Sequence, residues 1–116
     1  MSLIAALLLA GAQPALAKAG DCGWVHGRYA IANGSRVHRI WMIGTNHELN
    51  LDVADEAPGE PRPLKHILAT PGYEPWSDRL FGDFYVCARE RRIRGHMQTV
   101  HLIRARNLRI AKSPRR

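Results

Sequence analysis

Five prolines, Pro58, Pro61, Pro63, Pro71 and Pro75, divide this 116-residue chain into two halves that are both patterned for β-strands. A prolyl nitrogen donates no hydrogen bond, so residues 54–79 can hold little regular pairing. What this stretch allows is a turn or two of helix over Leu64-Lys65-His66-Ile67-Leu68, with Pro63 at the first helical position. A connection of about 26 residues is long for a small domain. Tyr73 and Trp76 are expected to pin part of it to the body of the fold.

On the N-terminal side, Asn33-Gly34 marks a hairpin, because both turn positions tolerate positive φ. A two-residue turn there sets Ala32 opposite Ser35, His26 opposite Trp41 and Tyr29 opposite His38. The first arm places Val25, Tyr29 and Ile31 on one face, with a gap at Gly27. The second arm becomes apolar on both faces between Ile40 and Ile43. After a turn at Gly44-Thr45-Asn46, a strict alternation turns Leu49, Leu51 and Val53 inward and leaves Asp52 outward. Beyond the prolines, Phe81 to Cys87 separates Phe84 and Val86 from Tyr85 and Cys87. Thr99 to Ala105 is the next strand, and Asn107 to Ile110 is its tail or a short sixth one. Gly27 and Gly82 read as bulge or barrel-corner positions. Five or six such strands predict an all-β fold: a small closed or partly open OB-like barrel, with a two-sheet sandwich as the alternative.

Ahead of the strands, Leu3 to Ala12 is apolar and is followed by Gln13-Pro14 and Ala15-Leu16-Ala17. That is a secretory leader pattern with an Ala-x-Ala exit site, and it is shorter than the roughly 20 apolar residues a bilayer span requires. A buried N-terminal helix is the alternative, but no polar face interrupts the run. Gly20-Asp21 before Cys22 does not fit a lipidation site. The expected organisation is a leader over residues 1–17, one all-β domain over 18–111 and a basic flexible tail over 112–116, in a periplasmic or secreted protein. Export permits disulfides, and Cys22 and Cys87 are the chain's two cysteines. Bonded, they would tie the first strand beside the fourth.

The net charge of +7 is unevenly distributed. Residues 18–88 hold 7 basic and 9 acidic side chains, whereas residues 89–116 hold 10 basic ones against Glu90 alone. A surface of that kind attracts anionic lipid, acidic polysaccharide or nucleic acid over long range, and the attraction weakens with salt.

Several blocks also carry a resemblance: Cys22-Gly23-Trp24-Val25-His26-Gly27-Arg28, Asn33-Gly34, Arg39-Ile40-Trp41-Met42-Ile43-Gly44-Thr45, Phe81 to Cys87, Gly95-His96-Met97-Gln98-Thr99-Val100 and Asn107-Leu108. In this order they resemble a family of small exported bacterial β-domain proteins with no assigned activity. Members of that family often carry another cysteine in the strand after the Met-Gln pair, where this chain reads Val100-His101-Leu102. The resemblance implies export and a shared β fold, and supplies no chemistry.

The residues themselves point to little catalysis. Six histidines occur, without an HxH or HExxH pattern, and His26 and His38 fall on different hairpin faces, so no metal or cofactor is expected. Ser35, Ser77 and Ser113 lie in no nucleophile elbow. A small hydrolase would have to use Asp52 with Asp83. Polyanion binding would use Arg89, Arg91, Arg92 and Arg94 in one turn, then Arg104, Arg106 and Arg109. Arg104 and Arg106 share a face if no bulge separates them. The reading from sequence is a non-enzymatic exported domain that binds an envelope protein or anionic surface, with polyanion binding and hydrolysis as alternatives.

Overall fold

The computed structural model describes residues 13–32, 37–52 and 63–112. Five strands, β1 (Cys22–Ala32), β2 (Val37–Met42), β3 (Glu48–Leu51), β4 (Arg79–Ala88) and β5 (Gln98–Ala111), close into a barrel in the order β1-β2-β3-β5-β4. All neighbours run antiparallel except β3 and β5, which are parallel. Among the described residues, one helix, α1 (Pro63–Leu68), lies in the connection from β3 to β4. This is the small closed all-β barrel that the alternation predicts, and no sandwich forms.

Parity explains the core. Val25 and Tyr29, Ile40 and Met42, Leu49 and Leu51, Leu80, Phe84 and Val86, and Val100 all turn inward and are buried. Pro63 opens α1 as expected, and Leu64 and Ile67, three apart on one helical face, join the same cluster. Tyr73 is buried with its ring edge-on to Tyr29 at 6.5 Å. Trp76 behaves otherwise: 65% of it is exposed, so it pins nothing. The backbone of Asp78 donates to the Glu74 carbonyl and the Asp78 carboxylate accepts from the Glu74 N–H. That tight turn carries Trp76 at its tip, away from the barrel.

The β1–β2 register also differs from the two-residue-turn expectation. Ala32 pairs with Val37 and Arg28 with Trp41, a slip of two positions; Asn33-Gly34 lies outside the described residues. An even slip leaves every side chain on its own face. His26 and His38 therefore still point apart, and His38 stacks on Tyr29 and hydrogen-bonds its hydroxyl at 2.5 Å. Val53 likewise lies outside the described residues.

β5 is one strand of 14 residues, so Asn107 to Ile110 is its tail and not a sixth strand. Its ladder with β4 is irregular at Phe81/Asp83 and at Tyr85/Val86. Gly82 sits at the first irregularity, where a Cβ would come within 2.7 Å of Leu108 and 3.2 Å of the Arg106 carbonyl oxygen. Cys22 and Cys87 face each other in the β1–β4 ladder and form a disulfide. No helix among the described residues is long and apolar enough to cross a membrane.

Candidate functional site

The outward residues of β1, β4 and β5 line up in three rows. Trp24 pairs with Tyr85, and Tyr85 with Arg104; His26 pairs with Asp83, and Asp83 with Arg106; Arg28 pairs with Phe81, and Phe81 with Arg109. Trp41 of β2 extends the third row through its pairing with Arg28. Each of these side chains faces out because its neighbours in sequence, such as Val25 and Tyr29 or Phe84 and Val86, turn in.

A bulge completes the alignment. Arg106 and Arg109 differ in parity and would point to opposite faces of a regular strand. Asn107 adopts a left-handed backbone conformation (φ 56°) inside the irregular stretch of the β4–β5 ladder. The extra residue there brings Arg109 back to the face that Arg104 and Arg106 occupy.

The guanidinium groups lie against the rings. Arg106 sits 3.8 Å from the centre of the Trp24 ring, Arg28 5.2 Å from that of Trp41 and Arg109 5.7 Å from that of Phe81. Trp24 also packs against Tyr85, with 5.3 Å between ring centres. Such contacts contribute about 0.5–1 kcal/mol each on an exposed surface. They also restrain flat cations on the outer surface of the strands.

Asp83 is the one acid in the three rows. It accepts from the Asn107 amide at 2.8 Å and from His26 Nδ1 at 3.1 Å, with the Arg106 Nε 4.0 Å away. The Asn107 bond, then the His26 bond and the nearby positive charges, hold its carboxyl below the usual range, against an opposing effect of burial. A carboxyl of lowered pKa stabilises the fold above its unfolded value of about 3.9, and that contribution disappears as pH falls through the lower folded value. Asp83→Asn is therefore expected to flatten the decline of melting temperature below about pH 4. Thermal melts across the acid range check this, and an acid limb as steep as the parent's would show the carboxylate to be idle.

The loop arginines lie elsewhere. Arg89 pairs with Asp52. Arg92 and Arg94 line a cleft of about 800 Å³ at one end of the barrel, together with His47, Ile93 and Met97. Arg91 is exposed. The seven arginines of the basic sector thus divide into a loop group at the barrel end and a strand group on its side. Asp52 and Asp83 are not brought together either: the Asp52 N–H bonds the Val100 carbonyl whereas Asp83 pairs with Arg106. Six residues of β5 separate those points, on the order of 15–20 Å of strand, against at most about 9.5 Å for paired catalytic carboxylates. Among the described residues, no group of three or more His, Cys, Asp or Glu could hold a metal ion.

Sequence reasoning did not find Trp24, His26, Arg28, Phe81 or Asn107 as site residues. Their alternation marks them as outward, but only the closure of β1 on β4 and β4 on β5 brings them beside the arginines. The chain matches no family model, no curated protein and no solved structure.

Proposed function

We propose that this protein is an exported, non-enzymatic binding barrel whose arginine and aromatic face takes a single-stranded nucleic acid. One observation carries the reading: Trp24, Trp41, Phe81 and Tyr85 are interleaved with Arg28, Arg104, Arg106 and Arg109 on one outward surface. Flexible single strands are held by rings that stack bases and by cations that track phosphates. A purely cationic surface would need no rings, and an apolar protein interface would not concentrate four arginines against one engaged carboxylate. The leader pattern and the disulfide support action outside the cytoplasm.

Fluorescence anisotropy with a short oligothymidylate tests the proposal. Three or four phosphate contacts on a single strand give a slope of log K against log salt of about −2 to −3. Affinity should therefore fall roughly 20- to 60-fold between about 50 and 200 mM salt. An isotherm that does not move with salt, or the absence of saturable binding, would rule the proposal out. Heparin bound as tightly as the oligonucleotide would assign the face to charge alone.

A further inference from the structure

The segment Gln13 to Ala17, which the sequence pattern assigns to the end of the leader, lies docked on the barrel at the end opened by β1 and β5. Every residue but Ala15 has a defined contact there. The Gln13 carboxamide accepts from the His26 N–H at 3.0 Å and donates to the carbonyls of His26 at 2.6 Å and Ile43 at 3.0 Å. It thereby continues the β1–β2 ladder beyond its last pair, Gly27 with Met42. Pro14 lies over Gly23, where an added Cβ would stand 2.7 Å from its ring. Leu16 is 2% exposed and belongs to the hydrophobic core. The Leu16 carbonyl accepts from the buried Gln98 side chain at 2.8 Å, and the Ala17 carbonyl accepts from the Arg92 N–H at 3.1 Å.

We propose that this groove is a peptide-binding site for an extended segment of the form Gln-Pro-small-Leu-small in another exported protein, and that removal of the chain's own leader opens it. The proposal rests on the leader reading and is independent of the arginine face. The chain's own segment shows what the groove accepts: a side-chain amide for the strand end, a proline against a bare glycine, a leucine in the core, and two carbonyls on fixed donors. Cleavage after Ala17 withdraws all of these at once. The exposed His26 and Arg92 N–H groups then turn to water, whereas the buried Gln98 amide keeps its bond to the Glu90 carbonyl but loses the Leu16 acceptor beside the pocket the leucine leaves, and a buried donor of that kind favours a replacement acceptor. Recognition of this sort, backbone groups for affinity and alternate side-chain pockets for specificity, is how sheets capture extended peptides.

A second observation points to an occupant. His47 is 5% exposed, and neither of its ring nitrogens meets a partner among the described residues. It lines the cleft that Ala17 borders and also a smaller one of about 230 Å³ bordered by Gln13, Pro14 and Ala15. Burial, and then the Arg92 charge, push its pKa down, so at neutral pH it presents a neutral ring to both sides of the groove.

The test uses the protein recovered after export, with its intact mass recorded first. A blocked peptide of sequence Gln-Pro-Ala-Leu-Ala is titrated into the processed chain by calorimetry. Saturable binding is expected, weakened at least about tenfold when the peptide leucine becomes serine. Gly23→Ala should weaken it to a similar degree while leaving the processed protein's melting temperature within a few degrees of the parent's, because the added methyl meets only Pro14. A folded, processed chain that ignores the peptide would overturn the groove alone. A mass that still includes residues 13–17 would overturn the leader reading, and the open groove with it. A processed chain that is unfolded by circular dichroism would show the segment to be a structural part of the barrel and would equally overturn the proposal.

Discussion

Reduction of the Cys22–Cys87 disulfide lowers the melting temperature by roughly 8–30 °C. The bond closes a loop over a sequence separation of 65 residues. Constraining the unfolded chain over that distance is worth about 4 kcal/mol on the chain-entropy account, and disulfides typically realise about 2–4 kcal/mol. For a domain of this size each 1 kcal/mol moves the melting temperature by roughly 4–8 °C. The bond also joins directly opposed residues at one end of the β1–β4 ladder, which spans eight pairs from Cys22–Cys87 to Tyr29–Leu80. The ladder's own hydrogen bonds keep the barrel folded after reduction, so the expected result is a lower melting temperature and not an unfolded chain. Melts with and without reductant, alongside a Cys22→Ala, Cys87→Ala double variant, separate loss of the bond from other effects of the reductant. A shift below about 3 °C would mean that the ladder alone sets the separation of the two strands.

What could be read in advance follows from which physical rules are local. Alternation is local, and so the inward set Val25, Tyr29, Leu49, Leu51, Phe84 and Val86 was legible before any pairing was known. The β1–β2 register lies two positions from the one a two-residue turn predicts and leaves that set undisturbed, because only an odd slip exchanges faces. Pro63 marked the start of α1 for the same local reason. The arginine face was not legible, since it depends on two non-local facts. One is the adjacency of β1, β4 and β5 in the closed barrel. The other is the bulge at Asn107, which no alternation rule anticipates and which decides where Arg109 points. The burial of Leu16 was hidden for a different reason: an exit site and a core contact both call for small and apolar residues, so Ala15-Leu16-Ala17 satisfies either requirement. Trp76 shows the converse limit. Its size suggested an anchor, but the turn of Glu74 to Asp78 determines where it lies.

Replacing Arg104, Arg106 and Arg109 together with glutamine removes about two units from the salt slope of oligonucleotide binding, at about 0.7 per phosphate contact on a single strand. Glutamine keeps part of each stem and its hydrogen-bonding edge but carries no charge, so the loss reports ion release and not a change of shape. The fold should tolerate it, because the Arg106 side chain is 58% exposed and its contact with Trp24 contributes only about 0.5–1 kcal/mol. Trp24→Ala makes the complementary change. It removes a stacking surface worth about 1–3 kcal/mol per base, a loss of roughly 5- to 150-fold in affinity, and leaves the salt slope where it was. The loop variant Arg91→Gln, Arg92→Gln, Arg94→Gln serves as the comparison, because those side chains lie in the loop between β4 and β5 and not in the three rows. If the loop triple lowers the slope and the strand triple does not, the anion binds at the barrel end beside His47, and the aromatic rows are only a packed outer surface. If the strand triple lowers the slope and Trp24→Ala lowers affinity at constant slope, charge and stacking act on the same ligand, as their interleaving on β1, β4 and β5 requires.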